Sequence, residues 1–261
     1  MSTMTYALTD SATMLRRQLK HMARYPSLTF MLIAMPVVFL LLFVYVFGGT
    51  LGDGLGGPSG GREAYIGYVV PGILMMTIAG AVQGTSISVA MDMTEGIVDR
   101  FRTMAIARVS VLTGHVLGSM IQILLGLVVV LGIALAIGYR PNAGPADWLA
   151  LLGVFALIAF ALTWLTVAAG ISAKSAETAS NTPMPLMFMP FIGSGFVPTD
   201  SMPGAMQWFA DYQPFTPWIE ATRGLLDDTG TDGTDLALTV AWAAAIALLG
   251  YLIARAKFNK R

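Results

Sequence analysis

The chain has no cysteine and only two histidines among 261 residues. The missing cysteine excludes disulfides and thiol chemistry. His21 and His115 lie far apart with no ligand cluster around them, so each reads as an ordinary interfacial residue rather than a metal ligand. Charge is scarce as well: Asp, Glu, Lys and Arg make up 11% of the residues, against about 25% in soluble domains. No G-x-x-x-x-G-K-[ST] stretch occurs, which excludes a nucleotide-binding loop within this sequence. The longest connection between apolar runs, residues 198–235, falls short of the roughly 50 residues of a small domain. The chain reads as having no catalytic centre and no energy source of its own.

Apolar residues are plentiful: 56% of the chain, with a mean hydropathy of +0.70. About 20 such residues in a helix cross the roughly 30 Å hydrocarbon core of a bilayer. Six stretches qualify, at 28–47, 66–89, 117–137, 149–171, 178–197 and 236–254, and none contains Asp, Glu, Lys or Arg. A charge at mid-helix costs about 2.5–3.5 kcal/mol on insertion, so the sequence predicts an all-α polytopic membrane protein with six spans. The missing intramembrane charge also argues against an ion-coupled carrier or channel. The 27 residues before the first run lack a small-x-small cleavage site, so that run reads as a retained span.

Six spans place both termini on one side. That side would hold Arg16, Arg17, Lys20, Arg24, Arg100, Arg102, Arg108, Lys174, Arg255, Lys257, Lys260 and Arg261, and the other only Arg62, Arg140 and Arg223. The bias predicts cytoplasmic termini in the plasma membrane. A formal net charge of zero gives nucleic-acid binding no support.

Between the spans the composition is specific. In residues 1–27, Leu8, Ala12, Leu15, Leu19 and Met22 recur at helical spacing with cations on the rest of the surface, which predicts an amphipathic helix in the membrane interface. The G-x-G-x-x-G at Gly52, Gly54 and Gly57 lies between two spans, so it reads as a flexible external loop and not a dinucleotide site. Thr77, Gly80, Gly84 and Ser88 form a stripe of small residues suited to close packing. Gln83 and Thr85 are polar exceptions that face a partner helix or a substrate path. The fifth stretch carries Pro183, Pro185, Pro190 and Pro198 among Met184, Met187 and Met189, which suits either a kinked packing helix or a surface adaptable to varied apolar shapes. Residues 203–226 hold Trp208, Phe209, Tyr212, Phe215 and Trp218, predicting short helices on or dipping into the outer leaflet. Residues 255–261 form a basic tail.

Residues 93–108, MTEGIVDRFRTMAIAR, form a mixed-charge passage between two apolar runs. Asp92 and Glu95 have the spacing of a capping pair, Ile97, Phe101 and Ala105 share a face, and Asp99 can pair with Arg102. An apolar knob rimmed by both signs of charge suits docking into a groove of another protein.

This passage is similar to the stretch after the second span of ABC-2 type exporter permeases, the group that includes daunorubicin-resistance permeases. Glu95, Gly96, Asp99, Arg100, Phe101, Ile106, Ala107, Arg108 and Gly114 carry the likeness; Ala105 stands where proline is usual and His115 where a basic residue is usual. A second passage, with Ser194, Gly195, Pro198, Met202, Pro203, Gln213, Pro214, Phe215, Thr216 and Arg223, resembles the same family. The resemblance implies a six-span ABC-2 (type V exporter-like) permease fold. It also implies a dimer of this chain or with a paralogue, served by two separate ATPase subunits that hold the ATP and Mg, with no cofactor on this chain. Arg16, Arg17, Glu95, Gly96, Asp99, Arg100, Phe101 and Arg102 would touch the ATPase, over a coupling segment at 92–110. Gln83, Met187, Phe191 and Ser194 would border the substrate path. The expected activity is ATP-driven export of an amphiphilic or hydrophobic compound; a glycan permease or a non-transporting scaffold or sensor are the alternatives.

Overall fold

The structure, a computed structural model, describes residues 3–24, 26–54, 61–96, 108–227 and 232–260. The chain forms α1 (Thr3–Arg24), α2 (Pro26–Leu42), a π-helical turn (Phe43–Phe47), α3 (Gly48–Gly54), α4 (Arg62–Thr94), α5 (Arg108–Ala136), α6 (Pro145–Ser172), α7 (Ala176–Asn181), α8 (Met184–Ile192), α9 (Gly204–Tyr212), α10 (Phe215–Asp227) and α11 (Gly233–Lys260). Among the described residues there is no strand. Five helical stretches are long and apolar enough to cross a membrane: 32–54, 62–94, 112–136, 145–172 and 233–258. The chain is a multi-pass membrane protein.

The first of these runs past the predicted end at 47. The first glycines of the expected external loop are helical, as α3, because Gly52 lets the chain lie against the start of α4: a Cβ there would come within 2.4 Å of the Gly61 carbonyl carbon. Gly57 lies outside the described residues.

The predicted fifth span is not one helix. Pro183 and Pro185 cannot donate to the carbonyls four residues earlier, so α7 stops at Asn181 and α8 restarts with Pro185 in its first turn. The pieces still follow α4 for most of its length. Ala179 packs with Ala90, Gln83 Nε2 donates to the Ser180 carbonyl at 2.8 Å, and Tyr65 Oη donates to the Phe196 carbonyl at 3.2 Å. From Ala90 back to Tyr65 is about 37 Å of helix at 1.5 Å per residue.

Helix α4 is the centre, almost wholly buried, with α2, α5, α6, the α7–α8 pieces and α10 around it. Backbones meet where glycine permits, as expected in lipid. The predicted stripe packs at ordinary contact, with a Cβ on Gly84 3.7 Å from Leu32 Cδ1 and one on Gly80 meeting nothing within 4 Å among the described residues, whereas a Cβ on Gly72 would stand 2.4 Å from the Gly195 carbonyl oxygen. A Cβ on Gly170 would stand 2.5 Å from the Ser86 carbonyl oxygen. Helix α11, mostly facing outward, seats Gly250 on α6, where a Cβ would be 2.6 Å from Leu165 N.

The two helices of 203–226 differ. Helix α9 keeps Trp208 and Tyr212 exposed. Helix α10 inserts into the bundle with Phe215, Trp218 and Ile219 fully buried, and is stapled to α11 by Trp218 Nε1 to the Thr239 carbonyl and Thr239 Oγ1 to the Pro217 carbonyl. At the opposite end, α1 lies on the start of α5, and Phe258 belongs to the same buried cluster as Val89, Leu112 and Val116. Both terminal helices therefore meet one end of the bundle.

Gly250→Leu is expected to destabilise the detergent-solubilised chain by about 1–3 kcal/mol through overpacking. Gly153→Leu, where an added Cβ would meet nothing within 4 Å among the described residues, should stay within about 0.5 kcal/mol of the parent. Thermal unfolding followed by size-exclusion recovery compares the two.

Candidate functional site

Helix α1 divides its surface three ways. Met14 and Gln18 face α5, where Gly114 and Gly118 make room; a Cβ on Gly114 would be 2.5 Å from the Met14 Cβ. The predicted apolar stripe begins about a quarter turn away, and it leaves Ala12 and Leu19 exposed. Arg16, Lys20 and Arg24 occupy the remaining side, also exposed. Protein, apolar and cationic sectors thus follow one another around the helix.

Arg17 departs from the other cations. Its Nη1 and Nη2 each donate to a carboxylate oxygen of Asp92 at 3.1 Å, a bidentate pair, and His115 Nε2 donates to Asp92 Oδ2 at 3.0 Å. Asp92 is 8% and His115 5% exposed. His115 is therefore no interfacial bystander but part of a buried network; the His21 side chain lies outside the described residues. One to two turns deeper, Thr85 Oγ1 donates to Ser119 Oγ at 2.7 Å and joins the same two helices. Among the described residues no three metal-binding side chains come together.

The expected capping pair at Asp92 and Glu95 does not start a helix. Helix α4 continues to Thr94, Glu95 closes it, and Gly96 turns away with φ 71°, a left-handed value that glycine adopts freely. Asp92 thus sits in the last turn, where the exposed carbonyl end of a helix disfavours a carboxylate. That mismatch was the available sequence signal: an acid in that place needs a cationic partner. Glu95 is exposed. Asp99, Arg100, Phe101 and Arg102, with the rest of 97–107, lie outside the described residues.

Of the predicted path residues, Phe191 lies in the seam between the first span and the α7–α8 leg, Met187 stands one turn before it on α8, and Ser194 follows that helix. Phe191 and Phe196 stack with centroids 4.2 Å apart, and Phe43 of the π-helical turn meets Phe196 at 4.6 Å. Phe39 meets Phe191 edge-on at 5.6 Å. Met187 and Phe191 are half-buried; Met184 and Phe188 beside them are exposed. Ser194 is buried, and its Oγ has no hydrogen-bond partner among the described residues. Gln83 is committed to Ser180 and holds the leg in place.

At the far end Arg223 fastens this seam. Nη2 donates to the carbonyls of Tyr68 at 3.1 Å and Ser194 at 2.9 Å, Nη1 to Glu220, and the guanidinium lies 4.0 Å above the Tyr68 ring centre. Gln213 bridges Thr216, the Phe215 amide and, at 3.4 Å, the Met189 carbonyl. The second resembling passage is thus a knot of side chains on backbone carbonyls. Nearby, burial pushes the Asp227 carboxyl above its usual range, partly offset by Arg223.

Comparison with known proteins gives this chemistry a setting. The family model described as ABC-2 type transporter matches residues 10–226. The chain is similar to the daunorubicin resistance ABC transporter permease protein of Streptomyces coeruleorubidus, at 29% identity over 97% of this chain and 88% of that one. It is also similar to ABC transporter G family member 20 of Dictyostelium discoideum, at 28% over 74% of this chain but only 26% of that protein. A probable doxorubicin resistance ABC transporter permease protein of Mycobacterium tuberculosis is 24% identical over 58% of this chain and 55% of its own length.

Arg223→Met is expected to lower stability by about 2–4 kcal/mol, because buried carbonyls and Glu220 lose their donor. Arg223→Lys should recover only part, since one ammonium cannot reproduce the planar fork. Thermal midpoints of the purified chains in one detergent provide the comparison.

Proposed function

Because the chain belongs to the ABC-2 type transporter family, we propose that it is the permease of an exporter whose ATPase is a separate subunit, and that it moves an amphiphilic or hydrophobic compound outward. The observation that carries the reading is the phenylalanine and methionine seam between the π-bulged first span and the broken α8. π-Helical turns gather at functional sites, rings offer flat apolar contact, and thioethers adapt to different shapes. A glycan route would need polar groups and stacking rings open to water, and the seam is mainly Phe and Met.

In this reading the α7–α8 leg completes a sixth crossing, the termini are cytoplasmic and the membrane is the plasma membrane. Two permeases, identical or paralogous, stand over two ATPase subunits that carry ATP and Mg. Arg16 on the exposed cationic side of α1, Glu95 and Gly96 at the end of α4, and Asp99, Arg100, Phe101 and Arg102 beyond it face the ATPase; Arg17 serves from within. Met187, Phe191 and Ser194 border the path, and Gln83 supports it.

Inverted membrane vesicles holding the chain and its ATPase should accumulate daunorubicin, used as the probe, only with hydrolysable ATP. Affinity capture of the tagged chain should bring down a stoichiometric subunit with a Walker loop. Asp99→Lys and Phe101→Ala should each insert normally yet lose stimulation of the bound ATPase. Recovery of the chain alone across several detergents, with no ATP-dependent uptake, would discard the exporter reading in favour of a scaffold.

A further inference from the structure

The end of α4 and the start of α5 meet at a buried carboxylate, Asp92. Asp92 lies one turn before the end of α4, and His115 lies two turns into α5. Both are also held to α1 through Arg17. Neither Asp92 nor His115 belongs to the surface that would meet an ATPase, since both are more than nine-tenths buried. The Arg17 side chain, 44% exposed, reaches inward to them from the rim. Charged, bidentate hydrogen bonds are about twice as strong as neutral ones and fix orientation as well as distance. Gly114 and Gly118 bring α1 close enough for the pair to form, and Thr85 with Ser119 repeats the α4–α5 link deeper in.

We infer that Asp92 and His115 are positioning residues which, through Arg17, make α1, the end of α4 and the start of α5 move as one body. The inference rests on the exporter reading. A load applied by the ATPase to α1 is shared through this junction with the end of α4 and the start of α5. Without it, α1 slips on α5, and the energy of hydrolysis is spent on local movement instead of displacement of the spans. Arg17 then acts on the partner only indirectly, by holding α1 against the bundle.

Two measurements separate the junction from the reading it rests on. In the cysteine-free chain, Gln18→Cys with Gly118→Cys places one Cβ 3.0 Å from the other, so a small parting of the two helices reaches the roughly 3.5–4.5 Å of a disulfide. Oxidative cross-linking in nanodiscs without any partner therefore reports whether α1 is docked. Asp92→Asn should slow the cross-link about tenfold, the loss expected for a charge-assisted pair. His115→Gln, which keeps a donor, should cross-link near the parent rate, and His115→Leu should not. In vesicles with the ATPase bound, Asp92→Asn should keep ATP hydrolysis while daunorubicin moved per ATP falls about tenfold. A merely structural role would lower assembly and hydrolysis together. Cross-linking of Asp92→Asn at the parent rate would overturn the junction, and an unchanged ratio of transport to hydrolysis would overturn its coupling role. A parent chain that binds no ATPase would overturn the exporter reading, with the cross-link still deciding the junction.

Discussion

Where residues 176–197 break into short helices against the buried core, carbonyls shut away from water need donors inside the protein. Four side chains donate to main-chain oxygens along the leg. Gln83 of α4 reaches the Ser180 carbonyl, Tyr65 of α4 the Phe196 carbonyl, Arg223 of α10 the Ser194 carbonyl, and Gln213 before α10 the Met189 carbonyl. Much of the architecture follows from this need. It explains why α10 is driven into the bundle rather than left on its surface. It also explains why α4, which supplies two of the donors, stands at the centre with the close backbone contact at Gly72.

The other end of the bundle solves a related electrostatic problem. A carboxylate in the last turn of α4 opposes the helix carbonyls, and burial removes the water that would stabilise it. Arg17 and His115 answer from two other helices. The cost of an unmatched group becomes a reason for three elements to stay together. The same logic that lets one leg break at the far end forbids separation at this one.

Hydropathy made most of this fold legible. Five spans were readable because an uncharged run of about 20 residues has few other uses. The prolines announced the irregular leg but not its break into two helices, since a kink and a break leave the same composition. Insertion of α10 was partly readable: Phe215 and Trp218 are residues of an interface as much as of a core, and only the surrounding helices decide which. The junction at Asp92 was hidden for a different reason. Its partners lie 75 and 23 residues away, and an ionisable residue just past an apolar run looks like the start of a loop unless the helix is known to continue. Of the path residues, Phe191 falls on the seam with Met187 one turn before it, whereas Gln83 was named for its polarity and is bonded to Ser180.

The four donors of the broken leg grip main-chain oxygens, which any amino acid in the leg would present. What stands on that leg, Met184, Met187, Phe188 and Phe191 among them, can therefore be exchanged for other apolar shapes without loosening the frame that holds it. Frame and lining are written in separate parts of the same backbone. A chain built this way can change what it accommodates by altering a few side chains, while the hydrogen bonds that hold the leg to the bundle remain untouched.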